Sequence, residues 1–204
     1  MSKKHKDVTF TKAKPYYATT LKQLFALATP GREDITDAVA ILGLCTVPDI
    51  ARFIGRPRSA LYYHVRALRD CGLLLESKVQ REGIKTTSYY DLPGRPLIVR
   101  YNLSTPRSRR AVMKIARVRF RTGERGFMRA CHPDDAVVEG SLRNLWVAHW
   151  KGWLTDEDLR EANRLLAELV DVFRHGAGDG GDRKPHELTF GIAPVLTRGR
   201  LVSH

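Results

Sequence analysis

The clearest run of apolar spacing lies between Cys45 and Leu92. Val47, Ile50, Ala51 and Ile54 share one side and predict a short helix over roughly Pro48 to Ile54. Gly55 breaks it, since glycine reaches left-handed backbone angles at no steric cost. Pro57 suits the first position of a second helix, where its missing N–H loses nothing. Leu61, Val65 and Leu68 follow at steps of four and three, one stripe facing a core, and Gly72 closes the helix. Leu73 to Val79 and Thr86 to Leu92 are rich in β-formers about Arg81-Glu82-Gly83-Ile84-Lys85, which predicts a hairpin.

The flanks are patterned more loosely. Pro15 is expected to start a helix through YYATTLKQLFALA, with Leu21, Leu24, Phe25 and Ala28 as its stripe. Thr29, Pro30 and Gly31 interrupt, and a helix from about Arg32 to Leu44 buries Ile35, Ala38, Val39 and Leu42. LPGRPLIVRYNLS reads as an extended connector. Thr105-Pro106 is a good start for a long helix, as cap and first position. Val112, Ile115, Ala116 and Phe120 supply its apolar face, and Gly123 and Gly126 are expected to end or loosen it. Leu142, Trp146, Trp150 and Trp153 then recur at steps of four, four and three, predicting a shared helix face. Thr155, followed by three acids, caps a last helix in which Leu159, Ala162, Leu166, Leu169 and Phe173 repeat over four turns, up to His175-Gly176. GAGDGGDRKP reads as a flexible linker and HELTFGIAPVL as a short strand.

The fold class is therefore mainly α with a small β wing. A basic flexible arm (1–14) precedes a winged helix-turn-helix domain (15–100) and an α-helical C-terminal extension (101–204).

The polar side of the second helix carries the functional reading. Arg56, Arg58, Ser59, Tyr62, Tyr63 and Arg66 cluster toward its N-terminal half, away from the apolar stripe. In a helix-turn-helix those positions meet base edges in the major groove. Arginine can take guanine through two parallel hydrogen bonds, while serine and tyrosine hydroxyls reach phosphates or bases. His64 lies in the same helix and reads as a backbone or phosphate contact rather than a metal ligand. Arg81 and Lys85 at the hairpin tip suit the minor groove or backbone. Against this stands a plain helical hairpin with a solvated face, or a winged helix used as a protein-interaction adaptor.

Charge favours the first reading. The chain of 204 residues carries a formal net charge of +13, which implies a polyanionic partner. Double-stranded DNA comes first; a membrane surface comes second, but no apolar run approaches the ~18 residues of a span. Neither a signal peptide nor a disulfide framework is visible in a chain with three scattered cysteines, and a cytoplasmic location is expected. Arg110, Lys114, Arg117, Arg121 and Arg125 line one side of the long helix at steps of four, three, four and four. That stripe is either a solvated face or one that tracks phosphate or holds an anionic effector.

At these residues the chain resembles the ArsR-type winged-helix transcriptional regulators. The likeness runs over roughly residues 20 to 92. It begins at LKQLFALATPGREDITDAVAIL, with Leu24-Phe25, Arg32 and Ile35 in matching places, and is most specific in PRSALYYHVRALRDCGLL. The extension looks like that of a subset of such regulators. The resemblance implies a homodimer that represses a promoter and changes state on meeting a signal. One departure matters. Metal-sensing members carry a Cys-x-Cys pair just before the first helix of the motif, where this chain has Thr46 and Pro48 beside a single Cys45. A soft-metal site needs converging thiolates, so neither a metal nor a cofactor is expected.

For assembly, Leu24 and Phe25 on the N-terminal helix and Leu166 and Leu169 on the last one are candidate dimer residues. Trp146, Trp150 and Trp153 read as core or subunit interface, or as the wall of a small-molecule effector cavity with His149 as its polar group. No phosphate loop, nucleophile elbow or HExxH pair is present, and an enzyme is not expected.

Overall fold

A computed structural model describes residues 14–82, 85–132, 134, 136–174, 184–197 and 200–201. It divides into two compact units, the first reaching Ile115 and the second starting at Ala116, both within one long helix.

The first unit begins where a helix was expected but a strand forms. Tyr16–Ala18 (β1) pairs in parallel with Leu97–Val99 (β5), Tyr16 opposite Leu97. Tyr16 and Tyr17 are good strand residues, and a partner some eighty positions downstream decides the matter. Helix α1 (Leu21–Leu27) starts only at Thr20, whose side chain accepts from the Gln23 backbone N–H in a capping box. Gln23 is nearly buried and its amide is fully used. Its oxygen accepts from the Thr19 and Thr20 N–H groups, and its nitrogen donates to the Tyr16 hydroxyl and the Cys71 carbonyl.

Thr29-Pro30-Gly31 does not separate two helices by a loop; it opens the second. Helix α2 spans Pro30–Leu42 with Thr29 as N-cap and Pro30 in the first turn. The motif proper follows as β2 (Cys45–Thr46), α3 (Val47–Ile54), a 3-10 turn (Arg58–Ala60), α4 (Tyr62–Arg69), β3 (Leu75–Glu82) and β4 (Lys85–Asp91). Thr46 caps α3, bonding the Asp49 N–H while the Asp49 carboxylate returns to Thr46 N. Gly55 ends it at φ +67°, the left-handed region. Strands β2, β4 and β3 form one antiparallel sheet in that order, so the wing is anchored to the start of α3 by Cys45–Tyr90 and Thr46–Tyr89 pairing.

One core unites these elements. Leu24, Leu27, Ile35, Val39, Ile50, Leu61, Leu68, Leu73 and Leu74 are fully buried, joined by Ala111 and Ile115. The connector after the wing is tied in as well as extended. Arg95 pairs with Asp91 and donates to the Val39 carbonyl, and β5 follows at once.

Helix α5 (Pro106–Ala130) runs unbroken for 25 residues. Gly123 and Gly126 neither end nor loosen it. In the second unit they let residues 184–195 lie close, since a Cβ at Gly123 would stand 2.5 Å from Thr189 Oγ1. Its buried apolar positions are Ala111, Ile115 and Val118, whereas Phe120, expected on that face, is exposed.

The predicted tryptophan helix does not form. Residues 145–155 lack regular structure, and Trp146, Trp150 and Trp153 are 62%, 83% and 63% exposed. Helical spacing alone stabilises nothing without a surface to cover the stripe, and Gly152 adds a weak position. Helix α6 (Asp156–Arg174) forms as expected under its Thr155 cap. The HELTFGIAPVL strand is reduced to Leu196–Thr197 (β6), paired with Arg200–Leu201 (β7). No helix among the described residues is long and apolar enough to cross a membrane. The expected basic arm and most of the glycine-rich linker lie outside the described residues.

Candidate nucleic-acid interface

The predicted recognition helix is two pieces. Pro57 caps the 3-10 turn Arg58–Ala60, and regular α-helix starts only at Tyr62. Leu61 sits at the junction, fully buried, and with Val65 and Leu68 fastens α4 to the core. That fastening turns the other side outward. Arg58, Ser59, Tyr62, Tyr63 and Arg66 are all exposed, Tyr62 by 55% and Tyr63 by 70%.

The expected arginine and histidine positions do not behave alike. Arg58 and Arg66 have no carboxylate partner for their guanidinium groups among the described residues. Arg56, by contrast, is held by Asp34 of α2 at 2.9 Å. It belongs to the joint between the turn and α2 rather than to the open face. Arg69, at the far end of α4, is shared between Asp70 and Glu76. His64 also turns toward α2. A Cβ at Gly31 would come 3.4 Å from its Nε2 and 3.1 Å from the Arg56 guanidinium, so glycine is what lets α4 dock on α2. Burial holds the His64 pKa below 6.5, and the Arg32 and Arg56 charges push the same way. Its Nδ1 is buried without a partner, as fits a neutral ring.

Arg32 was not among the expected site residues. Its guanidinium stands 5.8 Å from the Tyr63 ring centre, within cation–π range. With Lys22, Tyr63 and Arg66 it lines an open cleft of about 330 Å³ beside α4. Only its place across from Tyr63, 31 positions away in sequence, reveals the connection. Arg81 and Lys85 lie on strands β3 and β4, but their side chains are outside the described residues.

The thiols are dispersed. Cys45 is buried and its pKa is pushed up to about 12 by burial, with Asp49 and Asp91 adding to the effect. Cys71 is half-buried, its pKa raised by burial, and Cys131 is exposed. No group of three or more metal-capable side chains occurs among the described residues. Where metal sensors would have thiols, Thr46 and Pro48 serve as cap and first-turn residue of α3.

Of the expected assembly residues, Leu24 is 1% exposed and spent in its own core, while Phe25 packs partly against it. Leu166 is half-buried and Leu169 is exposed, as are Leu159 and Phe173 on the same stripe of α6.

Residues 29–75 match the family model described as bacterial regulatory protein, arsR family. That span reaches from the N-cap of α2 to the first residue of β3. Among solved structures, the chain is similar to the homodimeric winged helix-turn-helix DNA-binding domain of a possible ArsR-family transcriptional regulator from Mycobacterium bovis. The identity is 22%, covering 53% of this chain and 80% of that one, with a TM-score of 0.29. No curated protein matches. From α2 to the start of β3, the motif built above therefore matches the helix-turn-helix segment of the arsR-family regulatory proteins.

Proposed function

We propose that this regulator is a homodimeric repressor that reads duplex DNA sequence with the face made by Arg58, Ser59, Tyr62, Tyr63 and Arg66. The carrying observation is the contrast among the arginines of one surface: the end positions are paired, whereas Arg58 and Arg66 have no carboxylate partner among the described residues. Unpaired guanidinium groups beside exposed hydroxyls are what bidentate base contacts and phosphate contacts require. Arg32 and Lys22 flank the face and suit backbone phosphates, and Arg81 and Lys85 extend it along the wing. Such a dimer blocks transcription by occupying a promoter.

Assembly rests on α6. Leu159, Ala162, Leu166, Leu169 and Phe173 fall at alternating steps of three and four, a heptad seam, and Leu165 and Val172 widen it. Much of this face is open in the single chain, while Arg160 pairs with Glu157 and Arg164 with Glu161 and Glu168 on the opposite side. A helix with a satisfied polar face and an open apolar one asks for a second copy. The exposed tryptophan segment is either part of the same interface or the wall of an effector site.

Sedimentation of the full chain beside one ending after Ile115 tests the reading. The full chain should sediment as a dimer at micromolar concentration and bind a two-half-site duplex tightly. The shorter one should be monomeric and bind weakly. A full chain that stays monomeric with operator present would overturn the dimer.

A further inference from the structure

We propose that α5 carries a second surface for duplex DNA, separate from the recognition face. This inference rests on the DNA-binding reading of α4 and adds a contact to it. The helix holds nine Lys and Arg against Glu124 alone, a net +8 of the chain's +13. Arg110, Lys114, Arg117, Arg121 and Arg125 are all exposed. At 100° per residue they fall within an arc of about 80°, and Arg110 and Arg125 stand roughly 22 Å apart along the axis.

Their arrangement is unfavourable in isolation. Each cation has another three or four positions along, and like charges at that spacing destabilise a helix. Arg110, Arg117 and Arg121 have no carboxylate partner among the described residues, and Arg125 donates only to the Thr122 hydroxyl at 3.1 Å. The same chain handles charge differently in α6, where arginines alternate with glutamates and pair with them. A ridge left unneutralised by its own helix is completed by a partner that brings anions in a row.

Three chemistries present such a row, and the geometry separates them. A membrane-surface helix needs a wide free apolar face to insert, but Ala111, Ile115 and Val118 are buried in the protein, leaving Met113, Phe120 and Met128 as the large apolar side chains exposed on the helix. Single-stranded nucleic acid is gripped by aromatic stacking as well as charge, and no aromatic residue falls within the cationic arc. A duplex needs neither. Its phosphates recur every ~3.4 Å of axis on each strand, so a ridge of ~22 Å runs beside about six base pairs.

The test compares the full-length wild type with the fourfold variant Arg110→Gln, Arg117→Gln, Arg121→Gln, Arg125→Gln. Glutamine keeps helix propensity close to that of arginine. Binding to a random-sequence duplex of about 30 base pairs is followed by fluorescence anisotropy from ~50 to ~200 mM salt. The variant should lose about 2 to 4 from the log–log salt slope, at −0.9 per phosphate contact, and bind at least about tenfold more weakly at the low end. The single substitutions Arg117→Gln and Arg121→Gln should each remove about 0.9, so the result does not depend on the fourfold variant folding. A wild-type slope in every ridge variant overturns the second surface and leaves the α4 reading intact. Wild type that fails to bind duplex at all removes both. Ridge-dependent binding to single-stranded RNA or to phosphatidylserine vesicles, with duplex binding unchanged, also overturns the proposal.

Discussion

Two neighbouring arginines should separate reading from folding. Arg58 is exposed and has no carboxylate partner among the described residues, so Arg58→Ala breaks no ion pair there. Its effect on stability should stay within about 0.5 kcal/mol, as for a surface site without special features. If Arg58 takes a guanine edge, the same change lowers the preference for operator over random duplex by about 1–3 kcal/mol, or roughly 5- to 150-fold. Arg56 behaves oppositely. Its guanidinium sits on Asp34, whose side chain is only 15% exposed, 2.9 Å away. Arg56→Ala leaves that carboxylate desolvated and alone, at a cost of about 1–3 kcal/mol. In a unit of about 100 residues this lowers Tm by about 4 °C or more. Thermal melts followed by circular dichroism give one axis, and competition binding with operator and random duplex at fixed salt gives the other. Arg58→Ala should move only the second axis and Arg56→Ala chiefly the first. Full operator preference in Arg58→Ala, or wild-type stability in Arg56→Ala, would refute this division of roles.

Other outcomes follow from the same geometry. At about pH 8, Cys45 should resist iodoacetamide in the folded protein, because burial raises its pKa to about 12; Cys131 should be modified readily. Mass spectrometry showing equal labelling would contradict the burial. For His64 the folded state disfavours the proton, so between its lowered pKa and 6.5 the unfolded chain binds more protons. Stability should therefore be full above 6.5 and decline as pH falls through that range. His64→Asn should flatten this part of the urea-midpoint profile. Thr46→Ala removes the α3 cap and should cost about 1 kcal/mol by denaturant titration, with operator preference retained in the folded fraction.

What the sequence carried well was local. The stripe Leu61-Val65-Leu68, the break at Gly55 and the β-rich arms of the wing depend on neighbours a few residues away, and each was legible from spacing. What it hid was decided at a distance. Tyr16 and Tyr17 become a strand only because Leu97–Val99 lies beside them. Arg56 and His64 leave the open face because Asp34, Arg32 and Gly31 stand across from them on α2. Gly123 stays inside a helix and leaves room for Thr189, a close approach that no helix-breaker rule contains. Trp146, Trp150 and Trp153 keep helical spacing without a helix, for want of a covering surface in the single chain. The expected face of α4 is exposed at Arg58, Ser59, Tyr62, Tyr63 and Arg66, while Arg56 and His64 lie against α2 and Arg32 stands beside Tyr63.

The most direct test of the account is selection of bound DNA from a random duplex pool by the full-length protein at physiological salt. A dimer reading with two copies of α4 should enrich an inverted repeat whose half-site centres lie about 10–10.5 base pairs, or 34–36 Å, apart. The same selection with Arg58→Ala should lose information at particular positions of each half-site. A pool that emerges without a consensus, or with one that Arg58→Ala leaves unaltered, would contradict the claim that α4 reads DNA.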